Sequence, residues 1–238
     1  MAAMRTLTAV GHRGDPYRVR ENTLPSIRSA FARGADAVEI DVRLTRDGEA
    51  VLLHDDTLQR LWGHDVRLDA VTAPQLRELT GGGVPTLREA LTAAGAGRVM
   101  IDLPGATPES VRRVVGQVRE CGARDRTYYC AGPDTMLAVR AADPGAEIAL
   151  TWTTLAPPRR VLIDAVGPRW LNYRFGLVDR ELTDALHEEG LLVSAWTADT
   201  TCTMRRLIAA GVDAVTTNRL DALARVRSEL GRPGRPGR

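Results

Sequence analysis

The chain of 238 residues contains no lysine, so all 32 of its basic residues other than histidine are arginine. The absence sits beside an abundance of Ala, Gly and Arg, follows codon bias, and carries no function. Against those arginines stand 30 acidic residues, a net charge of +2. Nucleic-acid binders concentrate positive charge on one face, so this near-neutral balance argues against that class. Cysteine is scarce too. Cys121, Cys130 and Cys202 are too few and too scattered for a disulfide framework or a structural zinc site, and they suit a reducing compartment as inert core residues. No stretch reaches the roughly 18 apolar residues that a membrane-spanning helix needs. Residues 1–11 carry a single arginine and no apolar run of about 7 or more, so they do not read as a secretory signal. A cytoplasmic protein is expected.

What is present is a soluble globular composition, 44% hydrophobic and 26% charged. Short β-branched runs read as strands at residues 7–10, 37–42, 51–53, 99–103, 127–130, 148–152, 170–173, 191–196 and 214–217. Helical patterns lie between most of them. Residues 23–33, 108–121, 179–189 and 203–210 each stop at a glycine: Gly34, Gly122, Gly190 and Gly211. Strand then helix, repeated, means parallel strands with crossover helices.

Nine runs are one too many for an eight-stranded barrel, and the surplus can be located. Between Val42 and Val51 stands Asp47-Gly48, a tight-turn signal, in a connection too short for a parallel crossover. Residues 51–53 therefore run back as a hairpin arm. What remains predicts a (β/α)₈ TIM barrel, in preference to an open doubly wound sheet, whose glycine-rich loop after strand one is missing here. Residues 55–85, with weak periodicity and Gly81-Gly82-Gly83, read as a small insertion at the barrel mouth. A single domain over residues 1–230 is expected, followed by a disordered Gly/Arg/Pro tail at 231–238.

Barrel enzymes keep their site at the C-terminal strand ends. There the sequence puts His12 and Arg13, then Glu39 and Asp41 two residues apart on one face, then His54, then Asp102. With Asp47-Gly48 as a two-residue turn, Arg46 pairs with Glu49 and His54 lands directly opposite Asp41. Three facing carboxylates are costly unless a hard cation sits among them, and oxygen donors suit Mg²⁺ or Ca²⁺ over zinc. Such a cation can neutralise a phosphoryl oxygen. Two flanking histidines can divide proton transfer, and the Arg13 fork suits a phosphate. These parts match phosphodiester cleavage. His64 and His187, without sequence partners, read as ordinary surface residues.

Gly11-His12-Arg13-Gly14, Glu21-Asn22-Thr23, Glu39-Ile40-Asp41-Val42, Thr45-Arg46-Asp47-Gly48 and His54-Asp55 closely resemble the glycerophosphodiester phosphodiesterases. Trp196-Thr197 and residues 211–218 are similar to that family's last two strands, so the resemblance covers nearly the whole chain in order. It implies hydrolysis of glycerophosphodiesters to sn-glycerol 3-phosphate and an alcohol. It also implies a barrel, a divalent metal on Glu39 and Asp41, and His12 with His54 as the acid–base pair. The partner implied is a small phosphodiester, with no nucleic acid. Glu21 either braces the helix starting near Thr23 or contacts substrate. Trp196 packs at the barrel top or forms a wall of the substrate cavity.

One departure stands out. Where the family shows Glu-x-Lys at the end of the third barrel strand, this chain has Asp102-Leu103-Pro104. The third metal ligand is shorter by one methylene and a cation is missing. Arg174, after Asn172-Tyr173, is a candidate replacement, and a surface arginine is the plainer alternative. Two other functions stay open: a barrel with weakened catalysis that binds a phosphorylated ligand, and a related lyase forming a cyclic phosphate.

Overall fold

The computed structural model describes residues 7–230, so the tail expected at 231–238 lies outside the described residues. The strands are β1 (Thr8–Gly11), β2 (Ala37–Leu44), β3 (Ala50–Leu52), β4 (Arg98–Asp102), β5 (Thr127–Ala131), β6 (Glu147–Trp152), β7 (Trp170–Arg174), β8 (Leu192–Trp196) and β9 (Ala214–Thr217). The helices are α1 (Leu24–Ala32), α2 (Gln59–Trp62), α3 (Ala73–Leu79), α4 (Leu87–Ala94), α5 (Pro108–Glu120), α6 (Pro133–Ala142), α7 (Arg160–Val166), α8 (Arg180–Glu188), α9 (Thr201–Ala210) and α10 (Leu220–Leu230). All strands but β3 pair in parallel, and β1 touches both β9 and β2. The sheet therefore closes into an eight-stranded barrel, the TIM architecture that the strand-then-helix pattern predicts.

Strand alternation sorts the side chains into two layers. Val10, Ala37, Met100, Tyr128, Cys130, Ala149, Trp170 and Ala214 fill the barrel interior. Three alanines make room there for the stacked rings of Tyr128 and Trp170, whose centroids are 6.4 Å apart. The neighbouring residues point outward: Val38, Ile40, Ile101, Tyr129, Ile148, Leu171 and Val215 pack under the helices. Burying each large aliphatic side chain of this layer stabilises by roughly 1.5–3 kcal/mol. Read up the interior face, each strand passes from apolar to polar: Ala37 to Glu39 to Asp41, Met100 to Asp102, Trp170 to Asn172, Ala214 to Thr216. The period of two thus carries the polar residues to one end of the barrel.

The hairpin exists, but its register differs from the expected one. Val42 pairs with Leu52, Arg43 with Val51 and Leu44 with Ala50, one residue away from the frame in which Arg46 meets Glu49. The loop has three residues, not two. Thr45 N donates to Glu49 O, Gly48 N donates to Thr45 O, and Gly48 takes a left-handed φ of 84°. This is the three-residue turn with a left-handed glycine at its end. Asp47 is held in it by hydrogen bonds from Thr45 Oγ1 (2.6 Å) and from Ala73 N (3.0 Å), and the second of these comes from a distant helix. Consequently Leu53 N, not His54, is level with Asp41, donating to its carbonyl at 3.1 Å. A slip of one residue inside a ladder would turn His54 to the wrong face. It does not, because β3 ends at Leu52 and His54 has already left the ladder.

The segment after the hairpin is ordered. Leu58, Leu68, Val71, Leu76 and Val84 join Val51 and Leu53 in a separate small core, with Trp62 packed against it.

Candidate active site

Glycine shapes the first loop. Gly14 has φ of 93°, and a Cβ there would lie 2.3 Å from Ser26 Oγ, so no other residue fits. Between Gly11 and Gly14 the chain turns sharply and presents both His12 and Arg13. Among the described residues, Arg13 and Asn22 are the two non-glycine positions with left-handed backbone, each at φ of 54°. Such conformations cost about 1–3 kcal/mol and persist where surroundings enforce them. Here Asn22 N and Ser26 Oγ both donate to Arg13 O, at 3.0 Å each.

The carboxylates converge as the spacing predicts. Glu39, Asp41 and Asp102 each offer an oxygen within 4.8 Å of the others. Asp41 and Asp102 are register partners across β2 and β4. Asp41 Oδ2 accepts from Asn22 Nδ2 at 2.7 Å, and Asp41 N donates to Asn22 Oδ1. Glu39 Oε2 accepts from Arg13 N at 2.8 Å. Asp102 Oδ1 accepts from Leu103 N at 2.8 Å. Burial, then the Asp41 charge, push the Glu39 carboxyl well above its usual range. The same two causes raise Asp102 to about 7. Two buried acids, Glu39 and Asp102, that resist ionisation beside a third carboxylate are ones that a bound cation would relieve.

The two histidines are held differently. His12 Nδ1 lies 2.8 Å from Asn218 Oδ1. The orientation of that amide is fixed from behind, since Asn218 N and Nδ2 both donate to Asp199 at 2.8 Å. An amide oxygen only accepts, so His12 carries a proton on Nδ1, and in the neutral ring Nε2 is the lone pair. Burial, and next the Arg13 charge, lower its pKa, which favours that neutral form. His54 Nδ1 instead lies 2.7 Å from the Asp55 carboxylate, so its ring faces an anion where that of His12 faces a neutral amide.

Both histidines line one cavity of about 350 Å³, with Arg13, the three carboxylates, Trp196 and Thr216. Three buried polar atoms at this cavity lack partners: Arg13 Nε, Trp196 Nε1 and Thr216 Oγ1. Arg13 Nε is 3.2 Å from Asp41 Oδ2, but its N–H is not aimed at it. Unsatisfied buried donors around a cavity are what an anionic or oxygen-rich ligand would satisfy.

Two of the sequence candidates lie apart from the cavity. Glu21 Oε1 accepts from Arg13 Nη1 (2.8 Å) and Arg60 Nη2 (2.6 Å); it does not line this cavity but a smaller one of about 230 Å³ that His12, Arg13 and Asn218 also line. Arg174 is exposed at the end of β7 and likewise lines no part of it. Asn22, Asn218 and Asp199 are site residues that the sequence reading missed. Asn218 was signalled, since it continues the inward phase of Ala214 and Thr216 by two. Outside the site, His187 is no ordinary surface residue, because its Nε2 lies 2.8 Å from the buried Asp213. His64 lies 2.8 Å from Leu79 O through its Nε2, so it too is anchored. Of the cysteines, Cys130 is buried beside Asp102, whereas Cys202 is exposed and so is no core residue.

The sequence model described as the glycerophosphoryl diester phosphodiesterase family matches residues 12–222. A glycerophosphodiester phosphodiesterase of Caldanaerobacter subterraneus subsp. tengcongensis is 26% identical, covering 90% of this chain and 95% of its own length. One of Bacillus altitudinis is 27% identical, over 92% and 97%. Among solved structures, a phosphodiesterase of Oleispira antarctica in complex with the product sn-glycerol-3-phosphate superposes with a TM-score of 0.86 at 21% identity, covering 93% of this chain and 96% of that one. A glycerophosphodiester phosphodiesterase of Thermotoga maritima gives 0.82 at 22% identity, over 94% and 100%.

Proposed function

This chain belongs to the glycerophosphoryl diester phosphodiesterase family, and we propose that its cavity hydrolyses glycerophosphodiesters to sn-glycerol 3-phosphate and an alcohol. The observation that carries this reading is the meeting of three carboxylates and two differently anchored histidines in one cavity. A barrel that only bound a phosphorylated ligand would have no use for two proton carriers.

The donor set fits a divalent cation, because it is all oxygen and its three carboxylates face a single arginine, Arg13. Glu39, Asp41 and Asp102 would hold it, and oxygen ligands favour Mg²⁺ or Ca²⁺. Once bound, it would supply charge neutralisation at a phosphoryl oxygen. The protein's own groups then divide the work. His12 Nε2 takes the proton from the attacking oxygen, water for hydrolysis, as a new P–O bond forms. His54, whose Nδ1 is held by Asp55, gives a proton to the alcohol oxygen as its P–O bond breaks. Arg13 brings a charged fork to the phosphate, and Glu21 with Arg60 keeps that fork in place. Trp196 offers its free indole N–H to an oxygen of the substrate.

We place the enzyme in the cytoplasm, with a role in glycerol and lipid metabolism. Three free cysteines support a reducing compartment, and no helix among the described residues is long and apolar enough to cross a membrane. Residues 1–230 act on this reading as one catalytic domain. The test is the release of sn-glycerol 3-phosphate from glycerophosphoinositol after chelation and again after adding Mg²⁺ or Ca²⁺. Metal-restored release supports the reading. Equal release in the chelated sample removes the cation from it, and no release in either removes the activity.

A further inference from the structure

The segment Leu103–Gly105 borders the catalytic cavity on one side and a second cavity of about 380 Å³ on the other. Nothing in the proposed hydrolysis uses that second cavity. Its walls include Arg43, Arg46, Arg67 and the first turn of α5, at Thr107 and Ser110, and no aromatic ring. Two acids also line it, Asp56 and Asp69, but Arg67 occupies both, at 2.8 and 2.7 Å. Arg46 Nη1 donates to Ala70 O. Arg43 Nε donates to the carbonyl of His54 at 2.8 Å, and no described carboxylate pairs with its head. The guanidinium reaches Gly105, where an added Cβ would be 3.8 Å from Nη1. The cavity therefore holds two arginines, Arg43 and Arg46, with no described carboxylate at ion-pair distance, although their charges reach Asp69 and Asp47. It lies beside the N-terminus of α5, a helix of thirteen residues whose positive end is partly offset by Glu109.

Which part of a substrate faces it follows from the histidines. If His54 protonates the leaving alcohol, that alcohol sits beside His54, and Arg43 hangs from the His54 carbonyl. We propose that the second cavity is the head-group subsite, and that it selects alcohols carrying a phosphate or carboxylate of their own. The proposal rests on the phosphodiesterase reading above. A quaternary ammonium head group would meet arginines and find no ring face to lie against.

The experiment compares three substrates with the metal-loaded full chain: glycerophosphoinositol 4-phosphate, glycerophosphoinositol and glycerophosphocholine. The first two differ only by one phosphate. The wild type is expected to show kcat/KM about tenfold or more higher for the phosphorylated one, mainly through KM, with the choline compound lowest. In Arg43→Gln the ratio between the inositol pair should fall to about one. Because Arg43 also holds His54, absolute rates fall on all substrates, and the ratio is the readout. Ser110→Glu keeps an acceptor at the third helical position, so α5 stays capped, and it should bring the ratio below one. A wild-type ratio near one, or a ratio unchanged in both variants, overturns the proposal. Failure to hydrolyse any of the three would instead overturn the phosphodiesterase reading, and this proposal with it.

Discussion

Asn218 holds its amide oxygen 2.8 Å from Nδ1 of His12, on the side of the ring turned away from the free Nε2. Asp199 decides that orientation, since it accepts from both N–H groups of Asn218. Asn218→Asp would put a negative charge where a neutral acceptor now lies, favouring the imidazolium. The acid limb of kcat/KM should then move up by about one pH unit, toward or past the ordinary imidazole value of about 6.5. Asn218→Leu should cost about tenfold in kcat with a smaller change in KM, since it frees the tautomer without touching substrate. An unmoved pH profile in Asn218→Asp would contradict the base assignment.

His54 as proton donor predicts dependence on the leaving group. With an alkyl alcohol leaving, His54→Ala should lower kcat by about 10²–10⁴-fold. With a p-nitrophenyl ester, whose phenolate leaves unaided, the loss should shrink to about tenfold or less. Equal losses on both substrates would show that His54 is not the acid.

Asp102, raised to about 7 by burial and the Asp41 charge, couples stability to pH in the metal-free protein. The folded state binds this proton more tightly than the unfolded state does. Its stabilisation is fully present below about pH 4 and is lost as pH rises through about 7. His12, with a lowered pKa, tilts the other way, so the comparison must be with Asp102→Asn. That variant should be more stable than the wild type at pH 8, with the gain fading toward pH 5. Thermal unfolding of both chelated proteins across that range reads it, and a constant difference would refute the assignment.

The barrel and most of the site could be read in the sequence because both rest on a period of two. Glu39 and Asp41 share a face in any strand, and Asp102 falls in the same phase. The hairpin register could not be read, because Asp47-Gly48 fits loops of two and of three residues. Thr45 and the distant Ala73 decide between them, and only the folded chain brings Ala73 near. Helix α4 was overlooked although Thr86 and Glu89 form a capping box that the sequence displays. Asp199 had no such signal, since its role depends on an amide 19 residues on, beyond α9 and β9. The second cavity is assembled from β2, the loop before α3 and the start of α5, so no local pattern announces it.

Arg174 and His187 separate charge from structure. Arg174 is exposed and lines no part of the cavity, so Arg174→Ala should change kcat/KM by less than about threefold, the ordinary range for a surface substitution. A larger drop would show that it supplies the cation missing at Pro104. His187 bonds to Asp213, which also accepts from Val193 N at 2.8 Å. His187→Ala should therefore lower stability by about 1 kcal/mol or more while leaving kcat intact.

The most direct measurement follows sn-glycerol 3-phosphate release from one glycerophosphodiester by the wild type, His12→Ala, His54→Ala and Glu39→Gln, with thermal unfolding of each. The account predicts that all three variants unfold cooperatively and that each loses about 10²-fold or more in kcat. It predicts no such loss in His187→Ala measured beside them. Folded His12→Ala and His54→Ala proteins that release the product at the wild-type rate would contradict it.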